Sequence, residues 1–322
     1  MKIKFVDLNR QHDLYKDELL QAITAVLDKG DFILGDAVKE FEKSFSDYIG
    51  CQYAVGVDSG SSALSLALKT IDIGNGDEVI TVPNTFISTA YAISDCGGKP
   101  VFVDVEEQTQ LMDISMVESA VTSKTKAIIP VHLFGQPADI NLILDICKRF
   151  NLLLVEDCAQ AHFAEWKGKK VGTYGIAGTF SFFPGKNLGA YGDAGAIISN
   201  DDKFAEKARM FANHGALKKH HHEFEGINSR LDGLQAAILS VKLKYILQWT
   251  DLRIQHAKKY SELLSGVDNI VTPVTHQDAK HVFHLYVIRT QQRDALQSHL
   301  NKNGISSGMH YPTPLPFLKA YN

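Results

Sequence analysis

Between residues 53 and 157, short apolar runs recur along the chain and are separated by stretches of helical periodicity. "YAVGV" (53 to 57), "EVITV" (78 to 82), "PVFVDV" (100 to 105), "KAIIPV" (126 to 131) and "LLLVED" (152 to 157) have the length and near-continuous apolarity of parallel strands buried on both faces. Such strands need helices on either side, so the pattern predicts an α/β fold with a mostly parallel sheet wrapped by helices. "GNGDEV" and "CGGKPV" supply the glycine stops that end a helix before the second and third strands. Two more strands are predicted later, one closing on Phe180, Phe182 and Phe183, with Pro184 and Gly185 turning the chain, and one over Ala194 to Ile198. From 229 to 264 the period becomes 3.6, with neither Gly nor Pro after Gly233, which predicts one or two long helices. These would link a large domain, residues 1–250 with an N-terminal helical segment, to a smaller α+β domain, residues 251–322. In the smaller unit "HVFHLYVIRT" reads as a strand and "QRDALQSHLNKNG" as a helix stopped by Gly304.

Composition narrows the function classes. A chain of 322 residues, 45% hydrophobic and 22% charged, can bury a sizeable core. Its formal net charge of -4 gives no global basic field, and no basic stripe or DNA-binding helical module is evident, so nucleic acid is not expected as a partner. No apolar run reaches about 18 residues and the N-terminus lacks the apolar stretch of a signal peptide. A soluble, cytoplasmic protein with no membrane partner is therefore expected. Cys51, Cys96, Cys147 and Cys158 are widely spaced without a CxxC pair, which reads as buried, reduced thiols. In "KKHHHEFEG" (218 to 226), His220, His221 and His222 are adjacent and cannot easily converge on one ion, so a flexible active-site loop is expected there and no metal site.

The candidate chemistry gathers around Lys186 in "FSFFPGKNLGAYGDAGAI". A lysine between an aromatic strand end and a chain of glycines lies at the rim of an apolar interior. Desolvation there favours the neutral amine, the form that attacks a carbonyl carbon to make a Schiff base. "DSGSSALSLAL" puts Ser59, Gly60, Ser61 and Ser62 between a strand and a helix, which suits either a plain serine cap or a phosphate held by unpaired N–H groups and hydroxyls. In "VEDCAQAH", Asp157 stands at the end of a buried strand, placed either to cap the next segment, with Glu156 as a rim charge, or to hold a heteroaromatic nitrogen protonated. Gln160 can donate to a neighbouring oxygen, and His162 reads as a packed imidazole. Ser181 adds a hydroxyl five residues before Lys186, and Phe86 in "NTFIST" offers a ring to stack on a flat cofactor. Together they describe a pyridoxal phosphate site.

Over nearly its whole length the chain resembles the DegT/StrS sugar aminotransferases, which have the fold type I architecture of pyridoxal-phosphate-dependent transferases. The likeness is carried by "FVDLNRQ", "GDFILGDAVKEFEKSF", "SGSSALSLAL", "GDEVITVPNTFISTA", "VEDCAQAH", "FSFFPGKNLGAYGDAGAI" and "GINSRLDGLQAAILSVKL". The resemblance implies Lys186 as the Schiff-base lysine, Asp157 as partner of the pyridine nitrogen, Gln160 near the phenolic oxygen and Phe86 against the ring. It further implies phosphate contacts from Ser61, Ser62 and Ser181. Asn228 would reach the partner subunit's phosphate site in a homodimer with shared active sites, and His310 and Tyr311 would lie near the sugar. The implied reaction passes nitrogen from glutamate, through the pyridoxamine phosphate form, to a nucleotide-linked keto-hexose for amino-sugar and surface polysaccharide (O-antigen) synthesis. C3 of the hexose is favoured as acceptor because Phe183, Pro184 and Gly185 stand where the C4-aminating branch often carries a histidine. A C4 aminotransferase is the alternative, and a pyridoxal-phosphate-binding regulator without turnover is the alternative of another class. The dehydratases of the family replace the lysine with histidine, so Lys186 argues against that reading. Relatives typically continue beyond the "HYPTPL" stretch, so the small domain is expected to be shortened, and Phe86 stands where some relatives have Trp or Tyr.

Overall fold

The computed structural model describes residues 2–321. Eleven helices and ten strands were found among these residues. In chain order the first half holds α1 (Asn9–His12), α2 (Lys16–Lys29), α3 (Asp36–Ile49), β1 (Tyr53–Val57), α4 (Gly60–Thr70), β2 (Glu78–Thr81), α5 (Ser88–Asp95), β3 (Lys99–Phe102), α6 (Ile114–Ala120), β4 (Thr125–Ile128), α7 (Ile140–Phe150) and β5 (Leu153–Asp157). There follow β6 (Glu165–Trp166), β7 (Lys169–Lys170), β8 (Ala177–Ser181), β9 (Gly195–Ser199), α8 (Asp202–Phe211), α9 (Gly233–Leu243), α10 (Ile246–Leu264), β10 (Ala279–Lys280) and α11 (Arg293–Lys302).

The main sheet runs β1-β9-β8-β5-β4-β2-β3. Both pairings of β9 are antiparallel, and the β8-β5, β5-β4, β4-β2 and β2-β3 pairings are parallel. Because only β9 is reversed, the C-terminal ends of β1, β2, β5 and β8 share one edge of the sheet. Ligands bind outside that edge in open α/β sheets. The two faces of the sheet are covered separately. Ile198, Ala196 and Phe180 turn into a cluster with Phe41, Phe45 and Leu239, whereas Ile197 and Ala177 turn into another with Leu64, Leu68 and Phe204. On the first face, the Phe45 ring meets Phe180 and Phe182 edge to face at 5.2 and 5.3 Å. Each such buried ring contributes about 1.5–3 kcal/mol through burial alone, so β8 and the turn after it are held by a rigid aromatic block.

The long helical stretch is broken at Lys244 and Tyr245, between α9 and α10. α9 begins where the Gly233 N–H donates to the Phe32 carbonyl at 2.7 Å, and a Cβ at 233 would lie 2.7 Å from the Asp31 carbonyl oxygen. Only glycine permits that approach. α11 forms where a helix is predicted, and Gly304 follows it with a left-handed φ of 75°.

Three expectations need correction. "HVFHLYVIRT" (281 to 290) forms no strand and has a single bridge, from Arg289 to Val271. Phe283 takes a left-handed φ of 44°, which breaks an extended run, and the backbone groups around it are taken up elsewhere. Val282 N–H donates to the Gly135 carbonyl, while the Val282 and Phe283 carbonyls accept from Asn187 and Arg253 side chains. Its apolar alternation therefore reflects packing against the 133–136 turn. Secondly, the strand before Lys186 ends at Ser181, and Phe183 is 57% exposed rather than buried. Of the cysteines, all free, Cys147 and Cys158 are buried, but Cys51 and Cys96 are half-buried.

Candidate active site

A cavity of about 780 Å³ opens at the C-terminal edge of the sheet. Ser61, Phe86, Asp157, Gln160, Ser181, Lys186, His310 and Tyr311 all line it. Eight of the ten expected site residues are thus brought to one place from positions spread over the chain. Ser62 and Asn228 are not among the lining residues. Ser62 sits in the first turn of α4 with its hydroxyl 3.0 Å from that of Ser59, and Asn228 is exposed, bridged to Asn213.

The anion end is built at the start of α4. Ser59 is both cap and wall: its hydroxyl accepts from the Ser62 N–H at 3.2 Å, and it also lines the cavity. Ser61 and Ser88 hydroxyls meet at 2.6 Å. A Cβ at Gly60 would stand 2.5 Å from Ser181 Cβ, so the glycine is what lets the helix N-terminus and the Ser181 hydroxyl converge. Helix N–H groups and clustered hydroxyls suit a phosphate.

Asp157, the last residue of β5, is 4% exposed. It accepts from the Thr89 hydroxyl at 2.8 Å and from the Ala159 N–H at 3.1 Å. Burial raises its pKa, and the two hydrogen bonds and the Lys186 charge oppose the shift only in part. A buried carboxylate facing a cavity with no cation bonded to it is a ready partner for a protonated ring nitrogen. Glu156, which could have been a rim charge, is instead fully buried and packs behind the sheet edge. It accepts from the Gly172, Tyr174 and Gly175 N–H groups at 2.7, 2.8 and 3.0 Å. His132 accepts the Ala138 N–H on Nδ1, which leaves Nε2–H to donate to Glu156 at 3.2 Å. These two residues lie close to Cys158, but their polar atoms are already committed to protein partners.

Lys186 is half-buried, its amine open to the cavity and bonded to no other side chain among the described residues. Burial pushes its pKa down to about 8, against an opposing pull from Asp157. The turn that carries it is closed by Lys186 N–H to the Phe183 carbonyl at 2.8 Å and Ala190 N–H to the Phe182 carbonyl at 2.7 Å. Below, the buried Lys242 donates to the Gly189 carbonyl.

Gln160 accepts the Phe134 N–H on Oε1 at 2.7 Å, which fixes its amide so that Nε2 donates to the Tyr311 hydroxyl at 2.9 Å. One amide N–H remains for a ligand. His310 stacks on Phe5 at 5.7 Å, and Tyr311 lies 6.2 Å from the half-exposed Phe86 ring. His162 is packed as expected, within 5.7 Å of Phe180 and Phe182, and burial lowers its pKa to about 3. The His220–His222 stretch is exposed. His222 is held by the His214 carbonyl at 2.8 Å.

Sequence reasoning missed Ser88, Thr89, Arg253 and His284, which also line the cavity or, for Thr89, hold Asp157. The adjacent hydroxyls in "NTFISTA" were a usable signal for the first two. Arg253 lay inside an amphipathic helix and His284 inside an apparent strand, where neither is distinguishable from ordinary patterning.

A serine-lined helix N-terminus, a buried strand-end aspartate and a desolvated lysine on one sheet edge define a pyridoxal-phosphate-dependent transferase. The donors present fit that cofactor: Ser61 and Ser181 suit its phosphate, Asp157 its ring nitrogen and Lys186 its aldehyde carbon. The sequence pattern of the DegT/DnrJ/EryC1/StrS aminotransferase family matches residues 13–322, and the chain belongs to that family. It is a pyridoxal-phosphate-dependent aminotransferase. It is 47% identical to a pleiotropic regulatory protein of Geobacillus stearothermophilus, over 98% of this chain and 85% of the relative. It is 45% identical to dTDP-3-amino-3,6-dideoxy-alpha-D-galactopyranose transaminase of Aneurinibacillus thermoaerophilus, over 99% and 88%. Among solved structures, DesV of S. venezuelae in complex with a ketimine intermediate superposes with a TM-score of 0.98 at 42% identity, covering 99% of this chain and 86% of that one.

Proposed function

We propose that this chain transfers an amino group from glutamate to the C3 ketone of a nucleotide-linked hexose, in the cytoplasm, for amino-sugar and surface polysaccharide synthesis. The carrying observation is the turn from Phe183 to Lys186: Phe183 lines the cavity beside the lysine, and no imidazole stands in the two or three positions before it. The relative from Aneurinibacillus is named for a 3-amino sugar, which supports the same position. Among the described residues, no helix is long and apolar enough to cross a membrane.

Pyridoxal phosphate, when bound, supplies an electron sink for the bond broken at the donor's α-carbon. The protein supplies the rest. Asp157 keeps the ring nitrogen protonated, Lys186 Nζ takes the proton from the α-carbon and returns it one position along, and Gln160 orients the phenolic oxygen. Lys186 suits both proton steps because a group with a pKa of about 8 is available in either form near neutral pH.

The test offers 3-keto and 4-keto nucleotide sugars with glutamate and identifies the amino sugar by NMR. Amination at C3 is expected. Amination at C4 alone would establish the runner-up reading, and no turnover with either would favour the regulatory role suggested by the name of the Geobacillus relative.

The site is proposed to be shared across a homodimer, with Asn228 on the "GINSRLD" segment reaching the partner's phosphate end. Its exposure, away from its own cavity, supports this reading. Mixing Lys186→Ala with Asn228→Ala subunits should restore up to about a quarter of wild-type activity, from the hybrids that carry one intact site. Heterodimers that form without any recovery would reject sharing.

A further inference from the structure

Lys242 is buried, yet nothing in the chemistry at Lys186 uses it. It lies on α9, is 3% exposed and does not line the cavity. Its ammonium makes one hydrogen bond among the described residues, to the Gly189 carbonyl, and stands 5.0 Å from the centre of the Tyr191 ring. No carboxylate pairs with it among the described residues, and burial lowers its pKa to about 8. A buried ammonium without a counter-ion is unfavourable, and a methionine of similar length would fill the space without desolvating a charge. Stability alone therefore does not account for a lysine at this position. What it supplies is a donor for one buried carbonyl, which accepts from no other group among the described residues.

That carbonyl belongs to the loop that carries Lys186. Gly189 is buried, and a Cβ there would lie 2.4 Å from the Pro184 carbonyl oxygen and 2.9 Å from that of Phe183. The Phe183 carbonyl is the one that accepts the Lys186 N–H. Backbone packed this closely does not shift at 189 without moving the 183–186 turn. α9 grips the same loop a second time, since Gln235 Oε1 accepts the Tyr191 N–H at 2.8 Å. Positions 235 and 242 are two helical turns apart, so both side chains leave α9 on one face. The helix is a firm support. Ala236, Leu239 and Leu243 join the aromatic cluster of Phe41 and Phe182, while Ile238 and Val241 pack with Leu19 of α2. Asn187, next to Lys186, is held separately by donating to the Val282 carbonyl at 3.1 Å.

We propose that Lys242, together with Gln235, is a positioning residue: by holding the 189–191 backbone on α9, it keeps the Lys186 side chain desolvated and in place at the cavity wall. The inference rests on the proposed role of Lys186 as the Schiff-base lysine. Lys242 acts through the backbone and not through its charge. The pKa of Lys186 is lowered by burial, with Asp157 opposing, and burial is what a slack turn would lose.

The test compares wild type with Lys242→Met, which keeps length and packing but removes the donor. Lys244→Met, at an exposed lysine two residues on, is the control. Capture of pyridoxal phosphate by each apoprotein, followed by visible absorbance against pH, reads the solvation of Lys186. The rate should level off near pH 8 in wild type and control. In Lys242→Met the levelling should move up by about one pH unit or more, because water reaches the amine. In the cofactor-loaded enzyme kcat should fall about 10-fold to 100-fold, the loss expected of a misplacement on the order of 1 Å, with KM for glutamate changed less than about threefold. Levelling at the wild-type pH in Lys242→Met, at whatever thermal midpoint, would make Lys242 a support of the fold alone and overturn the proposal. If Lys242→Met does not fold, Gln235→Leu, which removes the other grip, is read in the same way, and an unmoved levelling there overturns the proposal equally. Failure of the site reading itself looks different: borohydride would then fix the cofactor to a lysine other than Lys186 in the wild type, before any variant is compared.

Discussion

Replacing Lys186 by alanine should lower turnover by about 10⁴-fold or more, because in the proposed function one side chain both holds the cofactor covalently and moves the substrate proton. The loss should be accompanied by a change in the bound cofactor's visible absorbance. In the wild type, borohydride should fix the cofactor to one peptide, the one containing Lys186. Label on any other lysine would refute the assignment. The lowered pKa gives a further readout from cofactor capture by the apoprotein. A lysine pushed down to about 8 is mostly protonated below that pH and mostly neutral above it. Only the neutral amine attacks the aldehyde, so the rate of capture should rise nearly tenfold per pH unit below 8 and level off above it. A lysine with its ordinary value would give a rate still climbing at pH 9.

Asp157→Asn should retain the cofactor but lose about 10²-fold to 10⁴-fold in turnover. The amide is nearly the same size, so the Thr89 hydroxyl and the Ala159 N–H keep a partner within reach. What disappears is the negative charge that, in the proposed function, keeps the ring nitrogen protonated. The effect should therefore fall on kcat, with a shift in the cofactor's absorbance and little change in the affinity for the sugar nucleotide. Turnover within a factor of three of wild type would refute the role. The buried setting sharpens the expectation: a charge in a site sealed to this degree is screened little by water, and no neighbouring carboxylate can take its place, since Glu156 is committed to three backbone N–H groups and His132.

Strands buried on both faces write themselves into the sequence as apolar runs, which is why β1 to β5 were legible, with starts within one residue and ends within three. The cavity-lining residues were legible for a related reason: Asp157 and Ser181 end such strands, and Ser61 lies in the first turn of the helix after one. The 281–290 segment misled because alternation reports which side chains are buried, not what the backbone pairs with. Asn187 and Arg253 side chains replace a neighbouring strand there, and these contacts join residues far apart in the chain. The hydroxyl of Thr89 was visible in the sequence, but its partner was not, since Asp157 lies 68 positions away. The exposure of Phe183 follows from the strand ending two residues early, a boundary that aromatic content alone does not mark.

The cavity is walled by two kinds of material. Beside Asp157 and Ser181 it is the end of a packed sheet, with Phe45, Phe180 and Phe182 locked behind it. On other sides it is made from Phe5, Val6 and Phe86, each near half exposed, together with His310 on an irregular segment. Substitutions at exposed positions change stability little, whereas those in the aromatic block cost several kcal/mol, about 3–5 for a buried phenylalanine truncated to alanine. Selection can thus revise the soft wall freely while the hard wall stays fixed. A chain so divided can exchange one acceptor for another over evolutionary time and keep the same group-transfer machinery throughout.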